Sequence, residues 1–341
     1  MDSKNVPNWV LGPFIRPEGG NPVLTPNPES TFQCPLRKTQ VKWESLNVFN
    51  PAAMVKDAKV YLLYRAEDTS GQMKIGGHTS RIGLAESEDG IHFTTLPAPV
   101  LYPDRDQQER REWDGGCEDP RIVEGNDGEY VLTYTQKAYL RSRLAIATSK
   151  DLVSWKKLGQ VLHGFGYFWY TKSASIVCAI LDGRLQAVKI HGKYWMYWGV
   201  RALQVATSED LIHWETGRPI IRPRQGYFDS ILNEAGPPAV LTDEGIVLIY
   251  NGKNSPKTGD STLAPNLYTG GQLLFDADDP AKCIGRLDHP FFQPELPFEK
   301  SGQYFAGTTF LEGLVFFRQK WFLYYGCADS VVGVAIWDPS F

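Results

Sequence analysis

Apolar and polar residues follow a pattern that returns along most of the chain. Short apolar runs rich in aromatic residues are separated by turn-forming Gly, Asn and Asp, which is typical of β-strands joined by hairpins. Three segments share Ala-x-Ser-x-Asp followed by an aromatic residue: 82–93 (IGLAESEDGIHF), 144–155 (LAIATSKDLVSW) and 203–214 (LQVATSEDLIHW). Degenerate copies follow at 271–280 and 331–338. This spacing predicts a unit that recurs about every 60 residues, as in repeat folds.

A second element precedes each copy, namely a β-rich run that contains tyrosine. These runs are KVYLLYRAE from Lys59, EYVLTYTQK from Glu129, KYWMYWGVR from Lys193, GIVLIYNGK from Gly245 and KWFLYYGCA from Lys320. With a further apolar strand before each run, the unit has four strands, and five such units predict an all-β, five-bladed β-propeller. The alternative is a β-sandwich with accidental internal similarity. In either fold the Asp of each Ser-x-Asp turn is expected to satisfy backbone N–H groups rather than to act in catalysis.

Residues 1–45 differ from the rest because they are rich in Pro, Gly and Asn and contain no full repeat. They are expected to form an irregular N-terminal arm that lies over the propeller and contributes to the site or to a subunit contact. The propeller itself is expected to span residues 46–341 as one domain, since one continuous series of repeats argues against two separate domains.

Composition narrows the class of protein. The 341 residues carry 35 Lys and Arg against 39 Asp and Glu, a net charge of −4, which argues against a nucleic-acid partner. No run approaches the ~18 apolar residues of a membrane span, so membrane insertion is not expected. The first twenty residues lack a signal-peptide core, which predicts a cytoplasmic protein, or a periplasmic one if a leader was removed. Five separated Cys and six scattered His predict no disulfide framework, no metal site and no cofactor.

Candidate chemistry lies where the innermost strands begin, because in a propeller these strands surround a central channel. Alignment on the tyrosine runs places four residues at comparable positions: Asn50, Asp119, Gly236 and Glu312. Glu234 lies two residues before Gly236, so strand alternation is expected to point it the same way. In the segment WDGGCEDPRI (113–122), alternation admits only one of the adjacent carboxylates Glu118 and Asp119 to the channel, and the alignment favours Asp119. Arg121 then shares its face, either to pair with a carboxylate or to hold a substrate oxygen.

Nine motifs, in order along all five predicted blades, resemble those of glycoside hydrolase family 130, the mannoside phosphorylases and related mannosidases. The motifs are NPAAM (50–54), YRAED (64–68), GLAESEDGIHF (83–93), GGCEDPRI (115–122), LAIATSKDLVSW (144–155), HGKYWMYWG (191–199), AGPPAVL (235–241), DADDPAK (276–282) and YYGCAD (324–329). The resemblance implies a five-bladed propeller, in agreement with the repeat count, and an oligosaccharide substrate that contains a β-mannoside.

The same resemblance implies roles for individual residues. Asp119 becomes the general acid, whose proton passes to the leaving sugar through a hydroxyl of the bound mannose. Asn50, Arg65 and Asp68 match positions that shape the mannose pocket. Three aromatic residues are candidates to stack on sugar faces: Trp113, Tyr170 and Trp198. Because aromatic residues are so numerous in this chain, packing is the favoured role for each of them taken singly.

Residue types bear on the choice between hydrolysis and phosphorolysis. Where the family's phosphorylases resemble Tyr-His-Gly, this chain has Asn251 in place of the phosphate-contacting His. Glu234 stands near the position of a phosphorylase Lys, and a carboxylate there would repel phosphate and could activate water. An inverting hydrolase is therefore the first hypothesis, with Glu234 as the base and Glu312 as the second choice. Arg143 matches a phosphate-contacting Arg and keeps a mannose 1-phosphate-releasing phosphorylase as the alternative.

Two other classes stay open. A propeller enzyme of the arabinanase or invertase kind would need three separated carboxylates around the channel, and a sugar-binding propeller would have lost catalysis. The sequence leaves a homo-oligomer open and does not specify the glycosidic linkage or the leaving sugar.

Overall fold

The computed structural model describes residues 6–71, 77–125, 127–163 and 170–340. Its regular structure is almost entirely β, which confirms the all-β class. A two-stranded antiparallel sheet of β1 (Phe32–Cys34) and β2 (Thr39–Val41) lies in the N-terminal arm. The other strands form five successive antiparallel groups, which are consistent with the predicted five-bladed propeller and are called blades 1 to 5. No helix in the described ranges is long and apolar enough to cross a membrane.

The first three blades are built as follows. Blade 1 contains β3 (Asn47–Lys56), β4 (Lys59–Gly71), β5 (His78–Ser87) and β6 (Thr94–Thr95). After the short helix α1 (Glu109–Glu112), blade 2 contains β7 (Gly116–Glu124), β8 (Tyr130–Ala138), β9 (Arg141–Ser149) and β10 (Lys156–Gln160). Blade 3 contains β11 (Ala174–Leu181), β12 (Arg184–Ala187), β13 (Lys189–Ile190), β14 (Lys193–Trp198), β15 (Leu203–Ser208) and β16 (Glu215–Ile221).

The last two blades complete the series. Blade 4 contains β17 (Leu232–Ala235), β18 (Ala239–Thr242), β19 (Gly245–Lys253), β20 (Tyr268–Phe275) and β21 (Cys283–Arg286). After the short helix α2 (Pro297–Lys300), blade 5 contains β22 (Thr309–Phe317), β23 (Lys320–Cys327) and β24 (Val331–Trp337). Short parallel pairings join neighbouring blades: β5 with β7, β7 with β12, and β11 with β18.

The Ser-x-Asp turns have one geometry in all three clear repeats. The Oδ1 atom of each Asp accepts hydrogen bonds from the backbone N–H groups two and three residues later, at 2.7–2.9 Å, and also receives the Ser hydroxyl. The residues are Asp89, Asp151 and Asp210. These backbone hydrogen bonds lower the pKa of Asp151 to about 2. These contacts support the expected structural role of the three carboxylates, which is to satisfy backbone N–H groups of the turn.

The N-terminal arm runs along the outer strand of blade 5. Ile15 and Ile336 exchange backbone hydrogen bonds of 2.8 Å, and further along the arm Leu24 pairs with Val332. Between them the side chain of Asn21 donates to the carbonyl of Val334 and accepts from its N–H. Because β24 would otherwise be an open sheet edge, the arm supplies the hydrogen bonds that this edge lacks.

Four blades share a buried tyrosine–carboxylate pair. In each, a tyrosine on a strand that pairs with the blade's first strand donates its hydroxyl to a carboxylate in the segment that leads into that first strand. The pairs are Tyr64–Glu44 (2.6 Å), Tyr134–Glu112 (2.8 Å), Tyr250–Asp229 (2.6 Å) and Tyr325–Glu299 (2.8 Å). Burial raises the pKa of Glu44 and Glu112. The pairs tie each incoming segment to the centre of its blade.

The blade 5 pair also binds the arm. Arg16 donates to both carboxylate oxygens of Glu299 at 2.7 and 3.0 Å, and its guanidinium lies 4.3 Å from the ring centre of Phe292. Glu299 is fully buried and Arg16 is mostly buried. One carboxylate therefore connects the arm, the entry to blade 5 and the tyrosine of β23.

We predict that Glu299→Ala lowers the free energy of unfolding by about 3 kcal/mol, because it leaves Arg16 and the hydroxyl of Tyr325 without their buried acceptor. Urea titration followed by tryptophan fluorescence measures this change. The control is Lys320→Ala, which removes an exposed ion pair with Asp338 and is expected to cost less than about 1 kcal/mol. Equal midpoints for the two variants would contradict the predicted role of Glu299.

Candidate functional site

The side chains predicted at the channel are delivered by β-bulges. The strand register shifts between Phe49 and Pro51 in β3 and between Glu118 and Arg121 in β7. Asn50 and Asp119, which lie at these shifts, have positive φ values of 47° and 48°. Non-glycine residues adopt this region rarely, and bulges re-aim side chains beside functional sites. The two bulges bring Asn50 and Asp119 into direct contact.

Asp119 is the centre of the site. Its Oδ1 accepts from Asn50 Nδ2 at 2.9 Å and from Arg65 Nη1 at 3.1 Å, and its Oδ2 accepts from Lys172 Nζ at 2.7 Å. Burial opposes ionisation of this carboxyl, but Lys172 and Arg65, helped by the Asn50 amide, hold its pKa well below the usual range. Asp119 is therefore a carboxylate in the protein without substrate.

Arg65 holds three carboxylates. Besides Asp119 it donates to Glu67 at 2.7 Å and to Glu118 at 3.0 Å. Strand alternation predicted that only one of Glu118 and Asp119 faces the channel. That prediction was wrong, because the bulge interrupts the alternation and both carboxylates contact Arg65. Burial raises the pKa of Glu118 while Arg65 opposes this effect.

Lys172 joins Asp119 to Glu234. Its Nζ lies 3.6 Å from Glu234 Oε1, which also accepts the hydroxyl of Ser173 at 2.5 Å. Burial lowers the pKa of Lys172, but Asp119 and Glu234 outweigh burial and raise it well above its ordinary value. Because these oxygens of Asp119 and Glu234 both lie close to the same Nζ, they are nearer to each other than the roughly 6.5–9.5 Å between the carboxyl groups of inverting glycosidases.

Arg121 and Glu312 form a buried ion pair beside this centre. Arg121 donates to the backbone carbonyls of Gly236 at 2.8 Å and Ala235 at 2.7 Å, and its Nη1 lies 3.2 Å from Glu312 Oε1. This matches the expected pairing of Arg121 with a carboxylate. Glu312 is fully buried, and burial raises its pKa well above the ordinary value although Arg121 opposes the rise. Its Oε2 has no hydrogen-bond partner among the described residues.

Three other candidates contact neighbouring protein groups. Asp68 pairs with Arg81 at 2.7 Å and accepts the backbone N–H of Ser70. Asn251 is buried, and its amide donates to the carbonyl of Leu311 and accepts from the Leu311 N–H, so that it ties blade 4 to blade 5. Trp198 is buried in the core and donates to the hydroxyl of Thr216.

The remaining candidates lie around the rim of the site. The guanidinium of Arg37 lies 5.1 Å from the ring centre of Trp113. Tyr170, which is 53% exposed, stands two residues before Lys172 and forms an isolated β-bridge with Ser142. Arg143 is buried, and burial together with the charges of Arg141 and Arg111 lowers its pKa.

Sequence reasoning missed Lys172, Glu67 and Asp329. Asp329 has a φ of 53° in the turn between β23 and β24. Burial raises its pKa to about 7, with Arg65 opposing and Asp119 and Glu67 adding to the rise. Asp329 is the last residue of the motif YYGCAD (324–329), so the motif itself pointed to this position. Lys172 stands just before β11, at an inner-strand entry comparable to that of Asn50. A cation at such an entry was the feature of the sequence that could have identified it as a site residue.

No group of three or more His, Cys, Asp and Glu side chains suited to a metal ion occurs within the described residues. The site is instead a cluster of carboxylates balanced by Arg65, Arg121 and Lys172. Paired carboxylates of differing pKa are the groups that acid–base catalysis of glycosidic cleavage requires.

Comparisons with known proteins agree with this chemistry. The model of glycoside hydrolase family 130, described as beta-1,4-mannooligosaccharide phosphorylase, matches residues 21–340. A 1,2-beta-oligomannan phosphorylase of Thermoanaerobacter sp. (strain X514) is 35% identical over 88% of this chain and 93% of its own length.

Solved structures are similar over the whole fold. One was reported with the finding that the GH130 family of mannoside phosphorylases contains glycoside hydrolases that target beta-1,2 mannosidic linkages in Candida mannan. It is 50% identical to this chain with a TM-score of 0.97, and the match covers 99% of this chain and 97% of its own. A glycosyl hydrolase from Bacteroides ovatus is 49% identical with a TM-score of 0.96, over 99% of this chain and 97% of its own. The chain belongs to glycoside hydrolase family 130.

Proposed function

We propose that this protein hydrolyses β-linked mannosides with inversion at the anomeric carbon. The observation that carries the proposal is the position of Glu234, a second carboxylate held beside Asp119 by the shared ammonium group of Lys172. Hydrolysis needs an acid for the leaving oxygen and a base for water, and these two side chains supply both groups.

Asp119 is the proposed acid. Since Lys172 and Arg65 keep it ionised without substrate, it takes up a proton only when the bound sugar separates its carboxylate from Lys172. A mannose hydroxyl placed between Asp119 and the glycosidic oxygen then carries the proton to the leaving sugar. Such a relay removes the need for direct contact between the acid and the cleaved bond, so the short spacing between Asp119 and Glu234 is compatible with inversion.

Glu234 is the proposed base. The hydroxyl of Ser173 and the ammonium of Lys172 orient its carboxylate, and a water beside it can attack the anomeric carbon. Glu312 is a poorer candidate for the base, because burial raises its pKa and so favours its protonated form. Its pairing with Arg121 suits a structural role.

Packing beside Asp119 favours attack at a chain end. Arg121 bridges β7 to the Ala235 and Gly236 carbonyls and to Glu312, and these side chains are buried. We therefore propose that the substrate presents its end to Asp119 and loses one terminal mannose at a time.

Phosphorolysis is the second candidate, and the named relatives of this chain favour it, since several are phosphorylases. The neighbouring charges of Arg111, Arg141 and Arg143 are the structural observation on its side. Against it, Arg65, Arg121 and Lys172 each contact a carboxylate at 3.2 Å or less. A phosphate dianion would have to compete with those carboxylates and with the charge of Glu234.

Product analysis separates the two reactions. Purified protein is incubated with β-1,2- and β-1,4-linked mannobiose in phosphate-free buffer and with inorganic phosphate, and the products are identified by anion-exchange chromatography. We expect free mannose at the same rate in both conditions. Mannose 1-phosphate formed only with phosphate would overturn the hydrolase proposal and establish the second candidate.

We predict that Asp119→Asn reduces β-mannoside cleavage at least a thousandfold while the fold is retained, because the amide has the same shape but cannot donate the catalytic proton. Initial rates measure the loss, and circular dichroism with thermal unfolding checks the fold. Unchanged activity would refute the assignment of Asp119.

We further predict different effects of amide substitution at the two candidate bases. Glu234→Gln should lower kcat by about 10²–10⁴ with a small change in KM, since it removes the general base. Glu312→Gln resembles the protonated form that burial favours, so its kcat should stay within about threefold of the parent enzyme. A larger loss in Glu312→Gln than in Glu234→Gln would reverse the assignment of the base.

A further inference from the structure

Three aromatic residues, Tyr268, Tyr304 and Phe305, form a feature that the proposed chemistry does not use; we call it the aromatic wall. The rings of Tyr268 and Tyr304 meet edge to face with centres 5.3 Å apart. Lys253 Nζ lies 5.2 Å from the first ring centre and 5.4 Å from the second. Phe305, the next residue, is 90% exposed. The wall thus combines a supported aromatic pair, a cation and an open aromatic face.

The wall is attached to the rim of the catalytic centre. The backbone N–H of Tyr304 donates to the carbonyl of Ala328 at 3.0 Å. The preceding residue, Gln303, donates its side-chain amide to Glu67 and to the carbonyl of Asp329, both at 3.3 Å. Glu67 contacts Arg65, the partner of Asp119. The segment that presents Phe305 is therefore held by residues that contact the catalytic cluster.

Electrostatics place Tyr268 near the same centre. Burial raises the pKa of its hydroxyl, and the charges of Glu234 and Lys172 act on it as well. The pKa of Tyr170 responds to the same two charged groups. Both Tyr268 and Tyr170 are therefore within electrostatic range of the catalytic cluster.

Sugar rings suit such a surface. Their C–H faces pack on aromatic rings, while their hydroxyls accept hydrogen bonds from ammonium groups, so a wall of rings around Lys253 is amphipathic in the way that a pyranose is. When the terminal mannose occupies the Asp119 centre, the rest of the substrate has to extend from the site toward the surface. Phe305 is exposed and directly follows the segment that is bonded to Ala328 and Asp329, so its ring is available to such a substrate.

We propose that the aromatic wall binds sugars on the leaving side of the cleaved bond, with Phe305 as the outermost platform, so that the preferred substrates are β-linked manno-oligosaccharides of three or more units. The proposal rests on the proposed function, because it takes the terminal mannose to occupy the Asp119 centre. Phe305 determines preference for chain length and takes no part in the chemical step.

The test uses binding and turnover together. In the Asp119→Asn background, isothermal titration calorimetry gives Kd for β-mannobiose and β-mannotetraose of both linkages. We expect the Kd of the tetraose to be roughly tenfold lower than that of the biose. An added Phe305→Ala change should raise the Kd of the tetraose about three- to tenfold and leave the Kd of the biose unchanged, as expected for loss of one aromatic contact. In the active enzyme, kcat/KM for the tetraose should fall by the same factor.

The matched control is Tyr139→Ala, which removes another highly exposed aromatic residue, 87% exposed, from the β8–β9 turn. It should leave the preference for chain length unchanged. Three outcomes would each overturn the proposal. They are equal losses of tetraose affinity in Tyr139→Ala and Phe305→Ala, equal Kd values for biose and tetraose, and a Phe305→Ala effect that tracks a change in oligomeric state. If the active enzyme cleaves no mannoside, the proposed function fails, and the calorimetric comparison still decides whether the wall binds sugar.

Discussion

The buried tyrosine–carboxylate pairs are the constraint on which the rest of the molecule depends. A propeller blade is a simple antiparallel sheet, and nothing within its ladder determines where the connection from the previous blade must arrive. Glu44, Glu112 and Asp229 fix this position by accepting a hydrogen bond from a tyrosine on a strand that pairs with the first strand of the blade they enter. Each carboxylate is costly to bury, so its segment has one favourable position.

The side chains of the candidate site follow directly from these anchors. Asn50 lies a few residues after Glu44, Asp119 a few after Glu112, and Glu234 a few after Asp229. With its entry point held, the first strand of each blade can contain a bulge whose cost the anchored sheet absorbs. The bulges then aim Asn50 and Asp119 at one another across two blades. Stability and catalysis are thus linked by short stretches of chain.

How far the sequence predicts this arrangement differs between its parts. The Ser-x-Asp turns are local, because the carboxylate bonds to backbone only a few residues away, so the repeat and the all-β class could be recognised from composition and spacing alone. Asp119 and its neighbour Asn50 were also found, because inner-strand entries can be aligned on the tyrosine runs. The five groups of strands fit the predicted propeller, and the expected boundary at residue 45 stays a prediction.

Other features depend on contacts between distant segments and could not be predicted. Alternation failed at Glu118 because a bulge has no reliable local signature beyond a polar residue before proline. Lys172 was missed because a lysine in the segment before a strand usually faces solvent, and only the assembled ring shows that it meets Asp119 and Glu234. Asp329 was missed for the same reason.

The balance of charge at the centre connects the two proposals. Arg65 and Lys172 are held between Asp119, Glu67, Glu118 and Glu234, so every change in one carboxylate alters the proton affinity of the others. In the proposed hydrolysis, a neutral sugar that enters this cluster displaces water and weakens the contact between Lys172 and Asp119, which promotes protonation of the proposed acid. A dianionic phosphate would instead draw Lys172 away from both carboxylates. The lysine proposed to support hydrolysis would then have to serve a different partner in phosphorolysis, and Glu234 would lose the cation with which it pairs among the described residues.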